Sequence, residues 1–253
     1  SQFTYTGASL NVAAANDDDE TKDNSTTTLK TAADNFKAAA QNVIRIINKL
    51  VSNSGKDNTL NVTLDNVNIE SSYSAALSVA GDTTITLVGD NKLTSGNQHA
   101  GLEHNGKDYY DSDTGKLTIT SGTNTDDGSN TGSLTATGGG GSAGIGSAWS
   151  SIGSSSGAGT IEITGGDITA IGASDAAGIG SGYGATSDTH IIINGTAKVD
   201  AQATQNGAGI GSGHNSTGNT TIDIGGDAIV KAQGGSDAAG IGSGYGATSD
   251  THI

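Results

Sequence analysis

SDAAGIGSGYGATSDTHI, from Ser174 to Ile191, returns without a change from Ser236 to Ile253. The two copies lie 62 residues apart, and a looser version between them halves that spacing: Ile179, Ile210 and Ile241 fall 31 residues apart. A fixed period in this range marks a stacked repeat, in which each unit buries its apolar face only against its neighbours. The last copy halts at Ile253, the equivalent of Ile191 inside an apolar run. The array is therefore expected to be truncated in mid-coil, a fragment or one end of something longer.

Outward from that block, the chain reads as short strands punctuated by glycine. Leu60, Val62 and Leu64 alternate, as do Ile85-Leu87, Leu117-Ile119, Ile161-Ile163, Ile191-Ile193 and Ile222-Ile224. A glycine turn and a second short strand follow, at Leu134-Ala136, Ile168-Ala170, Val199-Ala201 and Val230-Ala232. Period-two alternation between turn residues is the strand signal. A third element, Ala-Gly-Ile or a relative, closes each unit at Leu77, Leu102, Ile145, Ile179, Ile210 and Ile241, at spacings of 25, 43, 34, 31 and 31 residues. Three strands per unit predict an all-β, right-handed parallel β-helix, a three-sided solenoid, the hand following from the bias of parallel crossovers. The 43-residue unit is expected to carry an inserted loop through Tyr109, Tyr110 and Asp126. In Gly-Ile-Gly-Ser-Gly the isoleucine points inward and the glycines supply a corner of positive φ. A phosphate cradle would need a helix N-terminus next, and none is indicated.

The first residues are organised differently. Residues 1–28 combine alternating Phe3, Tyr5, Leu10 and Val12 with a solvated acidic loop at Asn16-Asp17-Asp18-Asp19-Glu20. From Leu29 to Val51, the residues Leu29, Ala32, Ala33, Phe36, Ala39, Ala40, Val43, Ile47 and Leu50 recur at three- and four-residue spacing. That pattern predicts an amphipathic helix over residues 29–55, capping the open end of a β-helix that occupies 56–253. A membrane-surface helix is the competing reading, disfavoured by the acidic context.

Composition narrows the function. Glycine supplies 41 of 253 residues and proline none. Because glycine recurs at fixed places, the bias means repeated corners rather than a disordered tract. The net charge is −15 with Arg45 as the single arginine, so the clustered cations that bind nucleic acid are missing. Without cysteine there is neither a disulfide framework nor a thiolate metal site. No segment is apolar for long enough to span a membrane as a helix. The chain begins at Ser1 and holds no methionine, consistent with removal of a secretion signal or trimming of a longer surface protein.

The segments Asn61–Ser72, Ala75–Val79 and Thr84–Leu93, the run Gly132–Gly139 and the Ala-Gly-Ile-Gly-Ser-Gly repeats together resemble the carbohydrate-binding β-helix domain of bacterial surface proteins. The likeness covers residues 60–253. It implies the β-helix fold and a sugar-binding role, in some members toward acidic plant polysaccharide with calcium, without mapping individual binding residues onto this chain.

Read for chemistry, the residues favour binding over catalysis. Parallel β-helices host pectin-cleaving enzymes, but the lone arginine lies in the expected cap, away from any basic role. Asn124-Thr125-Asp126-Asp127 and Gly213-His214 resemble pieces of polygalacturonases, yet they belong to different units and the later Arg-Ile-Lys element is missing. Asp108, Asp111 and Asp113, with Gly115 turning the loop, offer alternate hard oxygen ligands and make calcium the candidate ion, against a merely solvated loop. For glycan, Tyr183 and Tyr245 repeat beside Asp188 and Asp250, and Trp149 follows the irregular coil. Such a ladder could hold a polymer through many weak contacts; a tyrosine in a glycine loop can equally pack over its own turn. The expectation is a non-enzymatic, secreted, extracellular or cell-surface structural or adhesin module of a bacterium, with polysaccharide as candidate ligand. The alternatives are a filament subunit self-associating through open strand edges and, behind it, a polysaccharide-active enzyme.

Overall fold

The computed structural model describes residues 59–105, 115–122, 132–150 and 157–253, with the backbone of five earlier strands: Gln2–Thr4, Leu10–Ala14, Thr26–Lys30, Phe36–Ala38 and Ile44–Asn48. The described elements are all β and sort into three parallel sheets of nine, seven and eight strands. Each coil gives one strand to each sheet in turn. In one coil these are Gly159–Ile163 in the first sheet, Asp167–Ile171 in the second and the short Ile179–Gly180 in the third. This is the arrangement of a three-sided parallel β-helix.

The register stacks like on like. Leu117, Ile161, Ile191 and Ile222 are partners in successive coils of the first sheet, and all are buried. Leu134, Ile168 and Val199 do the same in the second sheet. In the third, Leu77 pairs with Leu102, then Ile145, Ile179, Ile210 and Ile241, so each of the unequal spacings of the sequence amounts to one coil; the expected inserted loop through Tyr109, Tyr110 and Asp126 lies outside the described residues. Each fully buried aliphatic side chain is worth roughly 1.5–3 kcal/mol, and the columns together are the core.

One inward position breaks the pattern. Asn91 stands opposite Leu134 in the second sheet and is buried. Its side chain accepts the Val67 N–H at 2.9 Å and donates to the carbonyls of Val88, Gly89 and Ser133. A buried amide this fully satisfied costs little and pins the turn between first and second sheets.

The expected capping helix over residues 29–55 lies mostly outside the described residues, and the backbone that is described there is strand. Within and beside residues 29–51 the structure has the strands Thr26–Lys30, Phe36–Ala38 and Ile44–Asn48, each added to one of the three sheets. Thr27 and Leu29 pair with Val62 and Leu64, and Ile44 and Ile46 pair with Leu77 and Val79. The β-branched residues Ile44, Ile46 and Ile47 suit the last of these strands: such residues are stiff at χ1 and favour a pleated sheet, and the neighbouring coil offers an edge. The sheets thus extend ahead of residue 56, back to Gln2–Thr4. The acidic run at 16–20 lies outside the described residues.

The Ile-Gly-Ser-Gly corner is built from close contacts between coils. Gly146, Gly180 and Gly211 sit at φ of 133°, 130° and 138°. A Cβ on any of them would stand about 2 Å from the carbonyl oxygen of the equivalent glycine one coil on. The serine that follows is buried and accepts a backbone N–H from the next coil: Ser147 from Gly182 at 2.9 Å, Ser181 from Gly213 at 3.0 Å and Ser212 from Gly244 at 3.0 Å.

Candidate functional site

Two residues past each corner serine the repeat places a ring: Trp149, Tyr183, His214 and Tyr245, one per coil. The backbones of Tyr183, His214 and Tyr245 are each tied to the preceding coil by two hydrogen bonds. Tyr183 N–H donates to Gly141 O, His214 N–H to Asp175 O and Tyr245 N–H to Asn206 O, at 2.8–2.9 Å. In turn the carbonyls of Tyr183, His214 and Tyr245 accept the N–H of Ser150, Gly184 and Asn215. With main chains fixed at the spacing of adjacent strands, about 4.8 Å, the side chains must stack.

They do so edge to face. The Trp149 and Tyr183 centroids are 5.8 Å apart with planes at 89°, Tyr183 and His214 are 5.2 Å apart at 80°, and His214 and Tyr245 are 5.4 Å apart with planes tilted by 56°. These separations lie in the favourable range for aromatic pairs. The first three rings are half-buried, while Tyr245 is 54 % exposed. The polar flank is equally regular. Asp175, in a left-handed conformation at φ 69°, accepts from Asn206 Nδ2 at 2.5 Å and lies 3.1 Å from His214 Nδ1. Asn215 Nδ2 reaches the Tyr183 hydroxyl at 3.4 Å.

Of the residues expected to bind, Trp149 and Tyr183 are brought into direct contact, and Tyr245 continues their column one rung beyond His214. Asp188 and Asp250 are on the following corner. Asp188 Oδ1 accepts the Asn219 N–H at 2.9 Å, and Asn219 Oδ1 accepts the Asp250 N–H at 3.3 Å, so this column closes turns. In the sequence His214 stands out only within Gly213-His214 and not as a member of this column, because the tyrosines repeat at 62 residues and His214 occupies the coil between them. The signal was there in Gly-Ser-Gly-His, aligned with Gly-Ser-Gly-Tyr.

The calcium candidates Asp108, Asp111 and Asp113 lie outside the described residues, and among the described residues no three acidic or histidine side chains are grouped as for a metal ion. On the outer strand faces Lys116 pairs with Glu162 and Lys231 with Asp200, both at 2.7 Å, and His190 meets Asp223 at the same distance. On the third sheet, the half-buried His99 meets the buried Glu103 at 2.8 Å, and this hydrogen bond raises the His99 pKa. No protein-family model, curated protein or solved structure matches the chain.

Proposed function

We propose that the chain is a non-enzymatic structural or adhesin module, extracellular or at the cell surface, whose β-helix holds the aromatic corner out as a carbohydrate-binding strip. The observation that carries this reading is the column Trp149–Tyr183–His214–Tyr245, continuous over four coils and partly open to solvent. Aromatic faces and edges take up the C–H surfaces of sugars, and polar side chains beside them meet the hydroxyls. A rigid array repeats a weak contact along one line, which suits a polymer. Right-handed winding, the rule for parallel crossovers, completes the scaffold. Among the described residues no helix is long and apolar enough to cross a membrane.

The test is a glycan array probed with the full chain and with a Tyr183→Ala/Tyr245→Ala double variant. Signals on extended glycans that fade in the variant support the reading. An empty array, or signals indifferent to both tyrosines, overturns it. Release of reducing ends or unsaturated products from a bound polymer would overturn the non-enzymatic part.

A further inference from the structure

The flank of the aromatic column narrows the ligand class. We infer that the strip takes a neutral polysaccharide and rejects polyanionic ones, an inference resting on the sugar-binding reading above. The first argument is the placement of positive charge. Among the residues described with their side chains the lysines are Lys92, Lys116, Lys198 and Lys231, all on strands of the first and second sheets; Lys30 and Lys37, described by backbone, lie on the same two sheets, and Arg45 lies on the third-sheet strand that pairs with the coil of Leu77, several coils before the rings. The rings sit past the third sheet, and Lys116 and Lys231 are already engaged by carboxylates. His214 is the single cationic type within the column, and its Nδ1 faces Asp175.

The second argument is the negative charge at the strip itself. Asp175 hydrogen-bonds directly to a ring of the column, and the repeat puts Asn206 and then the exposed Asp237 at the equivalent corner positions of the next two coils. A uronate or sulfate laid along the rings would run within a Debye length, about 8–10 Å, of these carboxylates, in a chain of net charge −15. A neutral sugar meets no such field. For its hydroxyls the carboxylate of Asp175 accepts, the exposed Asn215 amide donates or accepts, and the tyrosine hydroxyls do both. The four rungs span about 14 Å, three strand spacings, which is longer than one sugar ring and calls for a chain.

Native gel electrophoresis of the full chain tests this, with neutral polymers (xyloglucan, galactomannan, mixed-linkage glucan) or polyanions (polygalacturonate, alginate) cast into the gel. The polyanion gels are run with calcium chloride and, separately, with EDTA. The expected result is retardation by at least one neutral polymer, weakened about fivefold or more by Tyr245→Ala, and none by the polyanions. Circular dichroism confirms that this exposed-site variant stays folded. Retardation by a polyanion as strong as by any neutral polymer, with calcium or without, overturns the neutral class while leaving sugar binding standing. Retardation by neither class overturns both. Retardation by a neutral polymer that neither Tyr183→Ala nor Tyr245→Ala weakens puts the sugar elsewhere and overturns the inference.

Discussion

The Ser181 hydroxyl accepts the Gly213 backbone N–H at 3.0 Å, tying one corner of the β-helix to the next, and both groups are buried. Ser147 and Ser212 repeat the bond in neighbouring coils. Ser181→Ala leaves the Gly213 N–H buried without that acceptor, a loss of about 1–3 kcal/mol. The expected outcome is a lower urea midpoint for Ser181→Ala, while the exposed Ser236→Ala stays within about 0.5 kcal/mol of the parent. Equal midpoints for the two variants would show that the serine column is ornamental.

Backbone geometry makes a sharper demand at Gly180. Its φ of 130° disfavours any L side chain, and an added Cβ would be 2.0 Å from Gly211 O in the next coil. Gly180→Ala should therefore destabilise by about 3 kcal/mol or more, through strain and the forced separation of two coils. Gly225, where a Cβ meets nothing within 4 Å, is the control, and Gly225→Ala is expected to leave the thermal midpoint nearly unchanged.

The period and the inward residues were legible in the sequence because every coil repeats one physical problem: an isoleucine must stack on an isoleucine. The partners Ile179, Ile210 and Ile241 follow directly from their spacing. Residues that solve a problem peculiar to one coil were harder to see. Asn91 points inward where its partner is Leu134, and only the backbone groups that surround it explain an amide there. The stretch from Leu29 to Val51 satisfies a helical period as well as a strand one, since alanine fits both. The deciding term, pairing of Ile44–Asn48 with Leu77–Ala80, is a long-range contact that no local window contains. In the candidate site the rings were legible one by one, but their union through His214 needed the coil register.

The outer ion pairs predict an acid-side loss of stability. Glu162 is held below its ordinary pKa chiefly by its hydrogen bond from Lys116, and Asp200 by Lys231 and then Gln202. A depressed carboxylate contributes stability that is present above its unfolded pKa and is lost as pH falls through the lower folded one. Lys116→Ala and Lys231→Ala should thus each cost under about 1 kcal/mol at neutral pH, and less in high salt, because the pairs are partly exposed. The deficit should vanish in strong acid, where both carboxylates are protonated in either state. Urea midpoints of parent and variants across the acid range check this, and a deficit that persists there would mean the lysines act by packing.

His99 gives the opposite sign. The Glu103 carboxylate accepts from its Nδ1 at 2.8 Å and raises its pKa above the ordinary 6.5, against the opposing pull of burial. A raised histidine contributes stability that is complete below the unfolded pKa and disappears as pH rises through the folded one. The same Glu103 oxygen also lies 3.3 Å from the Ala100 N–H, so the acid has a backbone partner whichever state the imidazole is in. His99→Gln should therefore lower stability in mildly acidic solution and matter less above neutrality. Titrating the five histidine ring signals by NMR measures the cause directly. A His99 midpoint above 6.5 that falls toward it in Glu103→Gln is the expected pair of results. A midpoint at or below 6.5 in the parent would mean that burial outweighs the carboxylate, and the stability difference between parent and His99→Gln should then no longer grow as the pH is lowered.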